Sequence, residues 1–315
     1  MHNYKAPPVI IALILSLMLT GLATGNDFPN RPLTLLVGFN PGGSVDIQAK
    51  ALAEALSDQL NQPVELLYQP GAGGAVAAAM LAASQEGAYV FLYGPSLPFT
   101  FTPLTTSTSY QWDSVRHIAA LAMDQSAIVT GGTQPWQTWA DFLAYARTQE
   151  EIAVASQSPQ DRFLMNLISQ KEGINFRVIP TTGGAGMAPL VVSGDVDIAF
   201  SGGTHTQFTD AGDMRVLLGL SDERLIYYPS APTHREMGYQ AGMTNLRVIT
   251  LPLNTAEEDV QVLSKALDAA TRDRRFMEAT EQVRLPLMFL SENDVMATLR
   301  RQTQEFQRLI ADFGD

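Results

Sequence analysis

The sequence contains no cysteine, and this absence excludes several kinds of protein chemistry. Without thiols the chain can form no disulfide, bind no metal through thiolates, use no cysteine nucleophile and carry no lipid-modified cysteine. Histidine is also scarce, since only His117, His205 and His234 occur beyond residue 25. These three histidines stand apart and show no metal-ligand spacing, so we expect a protein without a metal ion or a cofactor.

Basic residues are outnumbered, with 20 lysines and arginines against 32 aspartates and glutamates, and the formal net charge is −12. No basic stripe is present, so nucleic acid is not an expected partner. An acidic surface also gives no long-range attraction for anionic ligands. Any anion must therefore be recognised locally, by backbone N–H groups or by a single arginine.

Catalytic constellations are missing as well. The G-x-S-x-G turn of hydrolases does not occur, and no nucleophile stands beside a candidate general base. The sequence therefore favours a binding protein over an enzyme.

Long apolar runs are confined to the N-terminus, where Val9–Leu19 follows the basic Lys5. At about 11 residues this run is shorter than the ~20 that a membrane-spanning helix needs. Small residues follow it up to Gly25, which is the layout of a secretory signal peptide. We predict that residues 1–25 are a signal peptide and that a soluble mature protein begins at Asn26 in a bacterial periplasm. An uncleaved membrane anchor is the alternative.

The remaining residues, about 290, alternate between short apolar strands and amphipathic helices. A strand is predicted at Leu33–Val37 before a helix from Ser44, and another at Val64–Tyr68 before an alanine-rich helix from Ala75. The alternation continues to two closing helices. It predicts an α/β protein with mostly parallel sheets, and the length suits two domains.

A glycine-containing turn joins the first predicted strand to the first predicted helix. N–H groups in the first turn of a helix lack partners and carry partial positive charge, so they bind carboxylates or phosphates that glycines let approach. The alternative is a tight turn whose glycines serve only conformation, with Asp46 as a helix cap. The candidate ligand-binding residues here are Asn40, Pro41, Gly42, Gly43, Ser44 and Asp46.

Six motifs follow one another along nearly the whole mature chain in an order that resembles one family. They are Phe28-Pro29-Asn30-Arg31-Pro32-Leu33, Gly38 to Asp46, Pro70-Gly71-Ala72-Gly73-Gly74, Ile179-Pro180-Thr181-Thr182-Gly183, Gly194 to Phe200, and Arg224 with Pro229, Pro232 and Thr233. The family is the substrate-binding proteins of tripartite tricarboxylate transporters, also called Bug or TctC-like receptors. Six motifs in the right order are far more specific than any one of them.

The resemblance implies an α/β clamp of the periplasmic binding protein type, type II-like, with two doubly wound domains and the ligand cleft between them. The expected boundaries are residues 26–124 plus 251–315 for one domain and 125–250 for the other. Family ligands are small carboxylates held by backbone N–H groups at two facing loops. We therefore expect one carboxylate at Gly42, Gly43 and Ser44. The residues expected to frame the other end of the solute are Ser96, Gln157, Ser158, Arg162, Thr181, Thr182 and Gly183.

The chain departs from the family pattern at the second loop. Glycines and a histidine are replaced there by Ser156-Gln157-Ser158-Pro159-Gln160-Asp161-Arg162. Because the glycines that expose backbone N–H groups are gone, we consider the hypothesis that the Arg162 guanidinium binds the carboxylate through a bidentate pair. The alternative is a solvated arginine paired with Asp161 or Glu172.

The sequence therefore predicts a monomeric periplasmic solute-binding protein. It is expected to capture a mono-, di- or tricarboxylate and to deliver it to permease subunits in the membrane. A receptor that feeds a sensor system is an alternative, and an enzyme on the same clamp scaffold is less favoured.

The order of basic, apolar and small residues from Lys5 to Gly25 generates a direct prediction about export. The mature protein should start near Asn26 and be recovered in soluble form by osmotic shock, as N-terminal sequencing of that fraction will show. A full-length species found only in membranes would contradict the prediction.

Overall fold

The computed structural model of the chain describes residues 27–313, which form two β-sheets flanked by helices. The expected signal peptide lies outside the described residues. Within the described range, every helix is too short or too polar to cross a membrane.

The strands and helices alternate along most of the chain, as the sequence pattern predicts. The strands are β1 (Leu33–Val37), β2 (Val64–Tyr68), β3 (Val90–Pro95), β4 (Val115–Met123), β5 (Ala127–Gly131), β6 (Ile152–Ser156), β7 (Phe176–Pro180), β8 (Ile198–Ser201), β9 (Met214–Gly219), β10 (Leu246–Pro252) and β11 (Leu287–Ser291). The longer helices are α1 (Ser44–Leu60), α2 (Ala75–Ala82), α5 (Trp139–Ala146), α6 (Pro159–Glu172), α7 (Gly184–Ser193), α9 (Glu257–Ala270), α10 (Arg274–Gln282) and α11 (Glu292–Phe313). Three helices of a single turn complete the set: α3 (Leu97–Thr100), α4 (Thr102–Thr105) and α8 (Thr206–Thr209).

Both sheets are mixed, although the sequence predicted mostly parallel ones. In the first sheet, of order β11-β4-β10-β3-β1-β2, strand β1 is parallel to β2 and β3, whereas β10 is antiparallel to β3 and β4. In the second sheet, of order β7-β6-β8-β5-β9, strand β5 is antiparallel to β8 and β9. The antiparallel strands β5 and β10 each follow a passage of the chain between the sheets. A crossover helix joins consecutive parallel strands, and no such helix is needed where the chain has just changed sheets.

The chain passes between the two sheets at two neighbouring places. Residues 124–126 connect β4 of the first sheet to β5 of the second, close to the expected boundary. The return precedes β10, whose residues pair with β3 and β4 of the first sheet, so the expected boundary between residues 250 and 251 would cut this strand. We propose a division that follows the sheets, with residues 27–124 and 246–313 in a first lobe and residues 125–245 in a second.

Each lobe has its own apolar core, formed where an amphipathic helix covers a sheet. In the first lobe, Leu52 and Leu56 of α1 are buried against the strand residue Leu35. This matches the helical spacing of apolar residues in α1. In the second lobe, Trp139 of α5 and Ile168 of α6 belong to one buried cluster.

The last helix, α11, contacts both lobes. Near its beginning, Val295 and Leu299 are buried against first-sheet residues such as Val248. Further along, Phe306 joins the buried cluster of the second lobe and meets Phe101 edge to face, with ring centroids 5.2 Å apart. The amphipathic stripe of α11 therefore serves two cores.

Two histidines are fully buried, one in each lobe. His117 Nδ1 lies 2.8 Å from Thr250 Oγ1, and His205 Nδ1 lies 3.0 Å from Ser201 Oγ. Burial lowers the pKa of both imidazoles to about 3. Both side chains are therefore neutral in the folded protein at pH 5, whereas a histidine in the unfolded chain titrates near pH 6.5.

This difference predicts acid sensitivity. Below pH 6.5 the unfolded chain binds more protons than the folded protein, so acid favours unfolding. The free energy of unfolding is therefore greatest above pH 6.5 and decreases as the pH falls toward the folded-state pKa. Lowering the pH from 7 to 5 should reduce the free energy of unfolding by about 2 kcal/mol per buried histidine. Urea titrations at both pH values test this, and His117→Asn should lose less stability on acidification than the wild type. An equal loss in both proteins would assign the effect to other groups.

Candidate solute-binding cleft

A cavity of about 50 Å³ lies between the two lobes. First-lobe residues reach it from the loop after β1, the turn before α2, the end of β3 and the start of β10. Second-lobe residues reach it from the loop before α6, the first residue of α7 and the loop after β8. Since a buried water needs roughly 10–15 Å³, the cavity holds only a few water-sized groups.

Three helices begin at this cavity without a side-chain cap. Gly43 is the N-cap of α1 and lines the cavity, Gly184 is the first residue of α7 and lines it too, and Gly73 lies beside the N-cap of α2. All three N-cap residues are glycines, so none caps its helix with a side chain of its own, although the Ser44 N–H of α1 donates to the Thr204 hydroxyl. The helix dipoles and the remaining first-turn N–H groups of α1 and α7 therefore favour an anion in the cavity.

The N-terminus of α6 also lies at the cavity, but its own carboxylate occupies it. Asp161 Oδ2 accepts hydrogen bonds from the N–H groups of Gln157 (2.6 Å) and Ser158 (3.0 Å), and the Ser158 hydroxyl caps the helix. Burial raises the pKa of Asp161 to about 6, and these hydrogen bonds oppose the rise. The glycine-free second loop thus satisfies the N–H groups of Gln157 and Ser158 internally, although both residues line the cavity.

Within the first loop, the structure divides the predicted residues into two groups. Asn40, Gly43 and Ser44 line the cavity, whereas Pro41 and Gly42 are exposed and do not. Buried Asp46 lies outside the lining and accepts hydrogen bonds from the Gly42 N–H (2.8 Å), Tyr68 Oη (2.6 Å) and Lys50 Nζ (2.9 Å). Although burial raises it, these bonds hold the pKa of Asp46 below its usual value. Asp46 therefore fixes the shape of the turn through the N–H of Gly42, the residue before the N-cap Gly43.

Three other predicted residues, Ser96, Thr181 and Gly183, do not line the cavity and contact residues next to it. Ser96 is buried, and its N–H and hydroxyl donate to Asn245 Oδ1 at 2.9 and 3.0 Å. Thr181 donates its N–H to the Ser156 carbonyl (2.8 Å). Gly183 has φ +99°, and a Cβ there would approach the Phe39 ring to 2.8 Å.

Arg162 is exposed on α6 and does not line the cavity. Its position one residue after buried Asp161 turns its side chain away from the apolar face of the helix. The structure therefore does not bring this predicted arginine into the cleft.

Direct contacts hold the two lobes together around the cavity. Asn40 Nδ2 donates to Thr182 Oγ1 (2.6 Å), and the Ser44 N–H donates to Thr204 Oγ1 (3.3 Å). Gly73 has φ +65°, and a Cβ on it would lie 2.7 Å from Ser158 Cβ of the second lobe. A glycine is required at this position by both its backbone conformation and the close approach of the lobes. The structure is that of a closed clamp.

A buried ion pair in the cavity wall was missed by the sequence analysis. Arg247 Nε donates to Asp124 Oδ1, and Asn245 Nδ2 donates to Asp124 Oδ2 (2.7 Å). Burial raises the pKa of the Asp124 carboxyl, and Arg247 beside it opposes the rise. A signal was present in the sequence, because Arg247 is a charged residue inside the apolar strand LRVITLP. Among residues 27–313, no three His, Asp or Glu side chains are grouped so that they could hold a metal ion.

Two α/β lobes with mixed sheets, joined by paired crossings and closed on a cavity, define the fold of periplasmic solute-binding proteins. The structure of the periplasmic binding protein BugD has a TM-score of 0.84 with 23% identity, covering 91% of this chain and 99% of that one. MatC from Rhodopseudomonas palustris, with bound malate, has a TM-score of 0.82 with 18% identity, covering 90% and 100%. The expected fold class is thereby confirmed.

Sequence comparison assigns the family. The model of the tripartite tricarboxylate transporter family receptors, TctC, matches residues 48–314, and the chain belongs to this family of solute-binding receptors. The "UPF0065 protein in gbd 5'region" of Cupriavidus necator is 29% identical over 254 residues, which are 79% of this chain and 77% of that protein. The resemblance noted in the ordered motifs is confirmed, and family members are periplasmic binding proteins.

The geometry at Gly43 leads to a mutational prediction. Gly43 has φ −90°, and a Cβ there would lie 3.6 Å from Thr204 Oγ1 and 3.8 Å from the Ala185 nitrogen. Gly43→Val should therefore fold normally, but its γ-methyl groups would fill the gap between the lobes and weaken solute binding at least tenfold.

Gly43→Ala is the matched control, because a Cβ alone makes only van der Waals contacts and should leave most of the affinity. Calorimetric titration should use the carboxylate that stabilises the wild type most, alongside circular dichroism and melting curves. Wild-type affinity in a folded valine variant would place the anion site elsewhere.

Proposed function

We propose that the protein captures a small carboxylate in this cleft and delivers it to permease subunits in the membrane, acting from the periplasm. The observation that carries the proposal is the convergence of three helix N-termini with glycine N-caps and one buried arginine on a single small cavity. This arrangement attracts an anion locally although the whole chain carries a formal charge of −12.

The size of the closed cavity supports a short solute. Room for a few water-sized groups suits a carboxylate of few carbons better than a long or branched one. Apolar contacts from Phe39, Leu97 and Phe200 would surround its carbon atoms. Malate, which the related MatC binds, is a solute of this class.

The cleft is suited to binding and not to catalysis. Among residues 27–313, Asp124 and Arg247 are the only ionisable residues that line it, and they are paired with each other. The carboxylate is held in an ion pair with Arg247 and accepts a further hydrogen bond from Asn245, so its charge is already partnered within the protein. Both observations support a receptor that releases its solute unchanged.

A thermal-shift panel of acetate, succinate, malate, adipate and citrate tests the proposal. Succinate and malate should raise the melting temperature most, because they are short enough for the closed cavity. A ligand specific for the folded state stabilises it by about 2.7 kcal/mol at a hundredfold excess over its Kd. Adipate and citrate should have weaker effects because they exceed the closed cavity.

Mass spectrometry of the bound solute after denaturation of the protein provides the second measurement. The recovered solute should have the mass of the solute that was added. The proposal would be wrong if no carboxylate in the panel stabilised the protein, or if the solute came back chemically converted.

A further inference from the structure

The guanidinium of Arg247 is the most completely buried cation in the described part of the chain that lines a cavity. Its side chain is 3% exposed, and Asp124, its partner, is 2% exposed. Arg247 Nε donates to Asp124 Oδ1, while Nη2 donates to Ser44 Oγ and to the Gly202 carbonyl, both at 3.1 Å. One side chain thus joins the crossing segment, the beginning of α1 and the second lobe.

The remaining nitrogen of this guanidinium has no partner. Arginine has five N–H donors, two of them on each Nη. Among residues 27–313, Arg247 Nη1 is buried and makes no hydrogen bond. Buried donors are nearly always satisfied, and an unsatisfied one calls for a specific explanation such as a ligand.

The contacts of the same guanidinium indicate what would satisfy Nη1. Because Nη2 of this planar group contacts Ser44, the first residue of α1, the guanidinium lies beside the N-terminus of that helix, whose N-cap residue is Gly43. A carboxylate placed at this helix terminus would therefore have an arginine donor next to its oxygens. Charge-assisted hydrogen bonds of this kind are roughly twice as strong as neutral ones.

We propose that Arg247 is the specificity-determining residue of the cleft, with Nη1 donating to a carboxylate oxygen of the solute that the N-terminus of α1 also binds. This inference rests on the proposed function and adds a residue to it. Since Nη2 of the same group holds the Gly202 carbonyl of the second lobe, a solute bound at Nη1 also favours the closed clamp.

The opposing interpretation is that Arg247 only neutralises Asp124. The two roles are separable, because lysine at position 247 keeps a positive charge beside Asp124 but lacks the second arm of the guanidinium. Arg247→Lys should therefore weaken malate and succinate binding at least tenfold in calorimetric titrations. The melting temperature of the unliganded variant should change little.

The double variant Asp124→Asn/Arg247→Met removes both charges and leaves neither unpaired, so it covers the case in which the lysine variant does not fold. It should also bind malate and succinate at least tenfold more weakly. Arg177→Ala is the control for loss of one positive charge, because Arg177 is half exposed on β7, pairs with Glu151 and does not line the cavity. Its affinity should equal that of the wild type.

A crystal structure of the wild type with malate or succinate gives an answer that depends on no variant. A carboxylate oxygen is expected within about 3.2 Å of Arg247 Nη1. A bound solute that leaves Nη1 without contact, or wild-type affinity in a folded variant, would overturn this inference alone. A wild type that binds no carboxylate would instead contradict the proposed function, and this inference with it.

Discussion

The closed cleft depends on one buried ion pair at the place where the chain passes between its two sheets. Asp124 begins the segment that leaves the first sheet, and Arg247 belongs to the strand that returns to it. Removing one member of such a pair leaves an uncompensated buried charge, which typically costs about 3–5 kcal/mol. Asn245 and Ser44 add hydrogen bonds to the pair, so that the crossing segments, the beginning of α1 and the second lobe are fixed relative to one another.

This arrangement supports the proposal that an acidic protein holds an anion. The net charge of −12 is spread over the chain, where solvent screens it, whereas the cleft collects partial positive charge from helix N-termini whose N-cap residues are glycines. At α6, by contrast, Asp161 occupies the same kind of N-terminal site. Within residues 27–313, the beginnings of α1 and α7 have no carboxylate of this kind, which is why we propose them as the solute site.

Local sequence patterns predicted the elements whose own residues determine them. Strands β1 and β2 have the predicted bounds, and the apolar spacing after Ser44 predicted α1. Helix α7 was missed because its glycines and Pro189 disfavour a helix, while packing of Met187 and Val191 against the second sheet outweighs that preference. The expected boundary between residues 250 and 251 lies inside β10, because the pairing of this strand with β3 and β4, and not a local pattern, assigns it to the first sheet.

By itself the sequence determined the α/β class, the turn at Gly43 and, through ordered motifs, the receptor family. These features depend on residues that are close together in the chain or on their order along it. Only the tertiary structure decided which arginine reaches the cleft. Arg162 follows a helix cap and faces solvent, whereas Arg247 meets Asp124 across 123 positions of sequence. Local spacing cannot encode that contact, because it exists only once two sheets have formed and their connecting strands lie side by side.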